Sequence, residues 1–235
     1  MIDRHPERER FSLLSDKRIL EHIESGGVII DPFEKENLGT VSYDVRLGEY
    51  YYREQAPKSG RTIYNPWNEQ DVRAVWGEAQ TAEKASSVLA EADSFVTTKG
   101  ISGDDKIILI NPGETILSHT QEFIGGRGVI TTMMKARSSI GRNFIEVCKC
   151  AGWGDVGYIN RWTMEITNNS RHYTIPLVAG RRVAQITFFE VGQTLKGDYS
   201  HEGKYQTEED IEVIKANWKP DDMLPKMWKD REVNV

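Results

Sequence analysis

A chain of 235 residues suits one domain with decoration, because a domain of this size buries most of the surface its unfolded chain exposes. Hydrophobic residues at 38% and charged residues at 28% are ordinary for a globular protein and exclude wholesale disorder. A net charge of −6 argues against a general nucleic-acid binder, so an anionic ligand would need a local cluster of Arg and Lys.

No apolar run approaches the roughly 18 residues of a membrane span. Met1 to Arg10 is charged and lacks the apolar stretch of a signal peptide. These features predict a cytoplasmic protein with no membrane partner. Cys148 and Cys150 are the two cysteines, too few for a disulfide framework. A zinc site takes about four ligands, and no second Cys or His cluster accompanies them. On a strand the two would share one face.

In chain order, Ser15 to Ser25 reads as a helix, with Ser15 as N-cap, Ile19, Leu20 and Ile23 at helical spacing, and Gly26-Gly27 as its end. Val28 to Ile30 reads as a strand stopped by Asp31-Pro32. Val41 to Leu47 alternates apolar and polar residues up to Gly48, a second strand. Residues 53 to 105 are polar and carry little strand pattern, so they read as a surface insertion with one helix over Thr81 to Ala92.

From Lys106 the β pattern returns. Lys106 to Ile110 precedes the turn Asn111-Pro112-Gly113-Glu114. Thr115 to Ser118, Gly128 to Met134, Phe144 to Cys150, Arg161 to Thr167, Thr174 to Val178 and Val183 to Glu190 follow as short strands. Such spacing predicts an all-β barrel or jelly roll. A last helix starts near Thr207 and Asp210, which resemble a capping box ahead of Ile211 and Ile214. The remaining tail, with Trp218, Met223, Leu224, Met227 and Trp228, docks either on a neighbour or on its own domain.

Three segments are candidates for chemistry. Lys135 to Arg142 packs Arg137, Ser138, Ser139, Ile140, Gly141 and Arg142 into a turn-like stretch. Arginine forks bind phosphate oxygens, and serines with free N–H groups complete an anion nest, although a solvated turn has the same composition. In Ala151 to Tyr158, three glycines make a close-approach backbone around Asp155. Asp155 either positions water or a sugar hydroxyl, or closes an Asx turn. Glu165 lies in an apolar strand, where an inward carboxylate would gain a raised pKa suited to proton transfer and an outward one would be plain surface. The zinc-deaminase motifs H-x-E and P-C-x-x-C are absent, so any deamination would proceed without zinc.

Taken in order, these segments resemble the dCTP deaminase family, which shares its fold with the trimeric dUTPases. The resemblance rests on Leu14 to Ile29, Ser42-Tyr43-Asp44-Val45-Arg46-Leu47-Gly48, Asn111-Pro112-Gly113-Glu114 and Arg137-Ser138-Ser139 with Arg142. It continues through Ala151-Gly152-Trp153 with Asp155, Met164-Glu165, Arg182-Val183-Ala184-Gln185 and Lys204-Tyr205-Gln206. It implies a single mainly β domain over residues 1–235, a dUTPase-like distorted jelly roll. An N-terminal helix, an insertion at 53–105 and a C-terminal extension at 207–235 would decorate it. Glu165 would be the base that activates water against C4 of cytosine. Ser138 and Arg142 would orient that water and the leaving amine. Arg137, Ser139, Gln185, Tyr199 and Lys204 would hold the triphosphate, with Ile140 and Gly141 completing the loop around it. Ala151, Thr163 and Met164 would line the base and sugar pocket, and Asp155 would contact the deoxyribose.

The resemblance also implies a homotrimer with sites between subunits, and Mg²⁺ carried on the substrate phosphates with no metal held by protein ligands. Ala151-Gly152-Trp153 resembles the bifunctional, dUMP-forming type. Two departures stand out: Ala136 replaces the usual Gly before R-S-S, and Thr207-Glu208-Glu209 replaces G-Q-x-G, putting acid where a phosphate contact would sit. The expected reaction is conversion of dCTP to dUMP, with dUTP as a second ligand. The rival readings are a deaminase that stops at dUTP and a nucleotide-binding regulator without turnover.

Overall fold

The computed structural model describes residues 12–57, 60, 62–92, 99–195, 197–199 and 203–233; the charged stretch from Met1 to Arg10 lies outside them. The first helix forms as expected, α1 (Asp16–Glu24), with the Ser15 side chain accepting from the Arg18 N–H and Ile19 fully buried. Strand β1 (Val28–Asp31) follows, then β2 (Tyr43–Arg53). Strand β2 runs well past Gly48, where the sequence reading had stopped it. A Cβ at Gly48 would lie 2.0 Å from the buried His119 ring, so this glycine allows a close crossing and does not end the strand.

The 53–105 stretch holds more structure than expected. Helix α2 (Glu69–Trp76) is capped by Asn68, whose side chain accepts from the Asp71 N–H. Strands β3 (Gln80–Thr81) and β4 (Glu83–Lys84) come next, so α3 (Ala85–Ala92) starts four residues later than the predicted helix. Val72, Ala85 and Leu89 are buried, so this segment contributes core as well as surface.

The remaining strands are β5 (Lys106–Ile110), β6 (Thr115–Gly126) and β7 (Ile130–Ala136). The short helix α4 (Ser138–Arg142) replaces the expected turn and leads to β8 (Ile145–Glu146) and β9 (Trp153–Gly154). Then come β10 (Ile159–Asn168), β11 (Ile175–Val178), β12 (Arg182–Glu190) and the tail helix α5 (Ile211–Asn217). Helix α5 is capped by Asp210, which accepts from the N–H groups of Glu212 and Val213, so the expected cap at Thr207 lies too far upstream.

The strand expected over Phe144 to Cys150 shrinks to β8. Cys148, Lys149 and Cys150 have φ values of 72°, 37° and 67°, which carry the chain out of the sheet. As a result Cys148 is buried and Cys150 exposed, and the two do not share a face.

The pairings are antiparallel. The main sheet runs β8-β10-β6-β2-β12-β7-β9, with β1 on β6 and β3 on β2, and a smaller sheet runs β11-β5-β4. This is the mainly β, distorted jelly-roll architecture that was expected. The main core joins α1 to the inner faces of β1, β2, β6, β10 and β12. A second cluster joins Tyr52, Val72 and Leu117 to Met223 and Leu224, so the tail docks on its own chain. None of the described helices is long and apolar enough to cross a membrane.

Candidate active site

Alternate residues of a strand face opposite ways, and β10 uses this. Met164 and Ile166 are fully buried in the main core. Thr163 and Glu165 face the other side, into a cavity of about 490 Å³. Met164 can therefore touch that cavity only through its backbone. Leu117, the cross-strand partner of Glu165 on β6, lines the same cavity.

The Glu165 carboxylate is largely buried, and its Oε2 atom has no hydrogen-bond partner. Burial pushes its pKa above the ordinary carboxylate value, against the weaker opposing pull of its own N–H and of the Lys149 charge. The left-handed turn at 148–150 sits beside it: the Cys148 N–H donates to the Glu165 carbonyl at 3.2 Å. The Cys148 thiol is pushed up to about 12 by burial and by the neighbouring Glu165 charge. It therefore stays protonated and inert.

Ala151 and Asp155 also line the cavity, and both are exposed. The glycines between them act as the sequence suggested. A Cβ on Gly154 would meet the Trp162 ring at 2.5 Å. Gly157 has φ of 91°, and its open face receives residues 198 and 199, with the Tyr199 N–H donating to the Val156 carbonyl. Tyr199 is thereby carried to the cavity wall, edge-on to Tyr158 at 5.3 Å.

The second group of expected residues lies elsewhere. Arg137 to Arg142 and Gln185 do not line the Glu165 cavity of their own chain. Ser138, Ser139, Gly141 and Arg142 are exposed on α4, while Ile140 packs against the main core. The Arg137 Nε is 3.0 Å from Asp44 Oδ2, and Arg182 reaches the same oxygen at 3.1 Å. Gln185 is the cross-strand partner of Asp44 and Lys135. Phe144 and Tyr173 are exposed beside α4 and share an apolar groove with Ile140 and Ile175.

Lys204 is ion-paired with Asp230 and lines a neighbouring pocket of about 280 Å³ with Lys226. The chain next to it is fixed by Gln206, which accepts from the Ile159 N–H at 2.7 Å and donates to the Gly157 carbonyl at 3.0 Å. Glu208 is exposed there.

Sequence reasoning missed Trp76, Met223 and Pro225, which also line the Glu165 cavity, as does Tyr205 of the quoted Lys204-Tyr205-Gln206 segment. Trp76, Met223 and Pro225 come from α2 and the tail, and no local motif announces them. Tyr158 and Trp162 were visible as aromatic neighbours of the quoted segments.

The family profile described as dCTP deaminase-like matches residues 13–191, more than half of the chain. The "dCTP deaminase, dUMP-forming" of Hydrogenobaculum sp. is 30% identical over 183 residues, covering 77% of this chain and 84% of that protein. The protein of the same description from Methanopyrus kandleri is 30% identical over 204 residues, covering 84% and 92%. The crystal structure of 2'-deoxycytidine 5'-triphosphate deaminase from Agrobacterium tumefaciens aligns with a TM-score of 0.49 at 14% identity, over 77% of this chain and 48% of that one. From the profile match and the two relatives at 30% identity, the chain belongs to the dCTP deaminase-like family.

Proposed function

We propose that this protein deaminates dCTP and cleaves the product to dUMP: dCTP + 2 H₂O gives dUMP, diphosphate and ammonia. The observation that carries the reading is Glu165, a largely buried carboxylate with a free oxygen facing a cavity large enough for a nucleoside. Burial makes it a stronger base than an exposed carboxylate, as proton abstraction from water requires.

In this proposal the cytosine ring enters beside Thr163 and Glu165. Glu165 takes a proton from water as its oxygen adds to C4 and passes that proton to N3; it then moves the proton of the new hydroxyl to the amino group, which leaves as ammonia as the C4 carbonyl forms. Ser138 and Arg142 orient the water and the leaving amine. Arg137, Ser139 and Gln185 hold phosphate oxygens, with Arg137 exchanging its Asp44 contact for substrate. Asp155, exposed in the cavity lining, orients the second water toward the α-phosphate. Mg²⁺ arrives on the phosphates, neutralises their charge and needs no cage of protein ligands. In this proposal the reaction runs without zinc, in line with the absence of H-x-E and P-C-x-x-C from the sequence, and the protein works in the cytoplasm.

The same proposal makes the active unit a homotrimer. Ser138 and Arg142 are exposed and outside the cavity that holds Glu165, so one chain supplies two half-sites. The apolar groove beside α4, with Phe144 and Tyr173 exposed, supports a subunit contact at that point.

Incubation with dCTP, dUTP or dCMP plus Mg²⁺, followed by anion-exchange separation, tests the reaction. The expected products from dCTP are ammonia, dUMP and diphosphate without a pool of dUTP. A second reading, release of dUTP after deamination, is favoured by the tie between Lys204 and Asp230, which keeps that lysine from the phosphates. Accumulation of dUTP in step with ammonia would establish it. Tight nucleotide binding with no ammonia would leave only a binding protein.

A further inference from the structure

One tail carboxyl bonds to both β2 and the insertion. The Tyr52 hydroxyl donates to Asp221 Oδ1 at 2.8 Å, and Arg73 of α2 reaches Asp221 Oδ2 at 3.0 Å. These two contacts hold the Asp221 carboxyl below its ordinary pKa. Immediately behind this junction Tyr52, Val72, Leu117, Met223 and Leu224 form one buried cluster. Leu117 is the cross-strand partner of Glu165. Trp76 at the end of α2 and Met223 and Pro225 from the tail line the Glu165 cavity. Met223 and Pro225 lie beyond the family match, which ends at residue 191.

We propose that α2 and the tail form a clasp, locked at Asp221, which seats Met223 and Pro225 as an apolar roof over the Glu165 cavity. In that role they are positioning residues for the deamination proposed above, on which this inference rests. The roof residues offer the carboxylate no donor and keep water from it. Among the polar and titratable groups around Glu165, α2 contributes the partnerless Trp76 indole N–H and β10 contributes Thr163, and the others come from outside the clasp. Those others are Cys148 and Lys149 from the left-handed turn, Asp155 and Tyr158 after β9, and Tyr199 and Tyr205 from the segment that follows β12. The clasp thus governs how dry, and how basic, the Glu165 carboxylate is.

The test compares wild type with Asp221→Asn, Tyr52→Phe and Met223→Gln. Ammonia release from dCTP is measured against pH, and the Glu165 carboxyl is titrated by ¹³C NMR with Glu165→Gln to assign it. With the clasp opened, kcat falls by about tenfold or more while KM changes less. The acid limb of the rate and the Glu165 titration both move to lower pH, because water reaches the carboxylate. Folded variants with the wild-type titration and wild-type limb overturn the clasp. Tyr52→Phe, which keeps the ring in place, carries the comparison if Asp221→Asn does not fold. If wild type releases no ammonia, the deaminase reading fails, and the NMR titration alone decides the clasp.

Discussion

Glu165 is the residue in which function and stability pull apart. In its proposed role as a base it must be ionised, yet burial favours its protonated form. Replacing it by Gln removes the base and leaves the shape, so ammonia release should fall by roughly 10²–10⁴-fold while nucleotide binding persists. Near wild-type release would remove Glu165 from the mechanism. The stability effect has the opposite sign. A carboxyl whose folded pKa is raised stabilises the fold fully below its unfolded pKa, and that contribution is lost as pH rises through the folded pKa. The Gln variant has no such loss. Its melting temperature should therefore exceed that of wild type by a margin that grows from pH 4 to pH 8 in thermal unfolding. A constant margin would mean that the carboxylate is solvated in the folded protein.

Elements here are set by contacts between strands as much as by local pattern. His119 is fully buried on β6 and pushed down to about 4 by burial, so it is neutral. Its Nδ1 lies 2.8 Å from the Thr120 carbonyl, which fixes the proton on that nitrogen and leaves Nε2 to accept from the Tyr50 N–H. Trp218 packs on the ring at 4.7 Å. With the imidazole held on three sides, it cannot move away from a methyl group on Gly48. Gly48→Ala should cost about 1–3 kcal/mol in denaturant unfolding, in the range of an overpacked core. A cost below about 0.5 kcal/mol, typical of an unconstrained surface site, would show that β2 can shift there. The same residue shows where sequence reading runs out. Gly48 reads locally as a strand end, but its reason lies on another strand. Helix α1, β5 and β11 were legible because their signals, a serine cap and runs of apolar residues between turns, are local. The base role proposed for Glu165 comes from the family resemblance, because a lone strand carboxylate reads locally as an outward surface residue as readily as an inward one. Trp76 and Met223 were not legible at the cavity, because only the tertiary fold brings α2 and the tail to β10.

At the scale of the whole molecule, the half-sites make a sharper test than a mass. Light scattering that gives three chains of 26.8 kDa would fit a trimer but would not show that the site is shared. Mixing two inactive variants does. Ser138→Ala spoils the half-site on α4 and leaves Glu165, while Glu165→Gln spoils the cavity and leaves α4. In a closed ring each site would take its Glu165 from one chain and its Ser138 from the next. Co-expression at equal levels gives each of those two positions an intact donor half of the time. About a quarter of the sites are then complete, so ammonia release should recover to about a quarter of wild type. Either variant expressed alone stays inactive. If the co-expressed mixture is as inactive as its parents while native mass spectrometry shows mixed trimers, each site is built within one chain. In that event α4 would have to move onto the Glu165 cavity of its own chain.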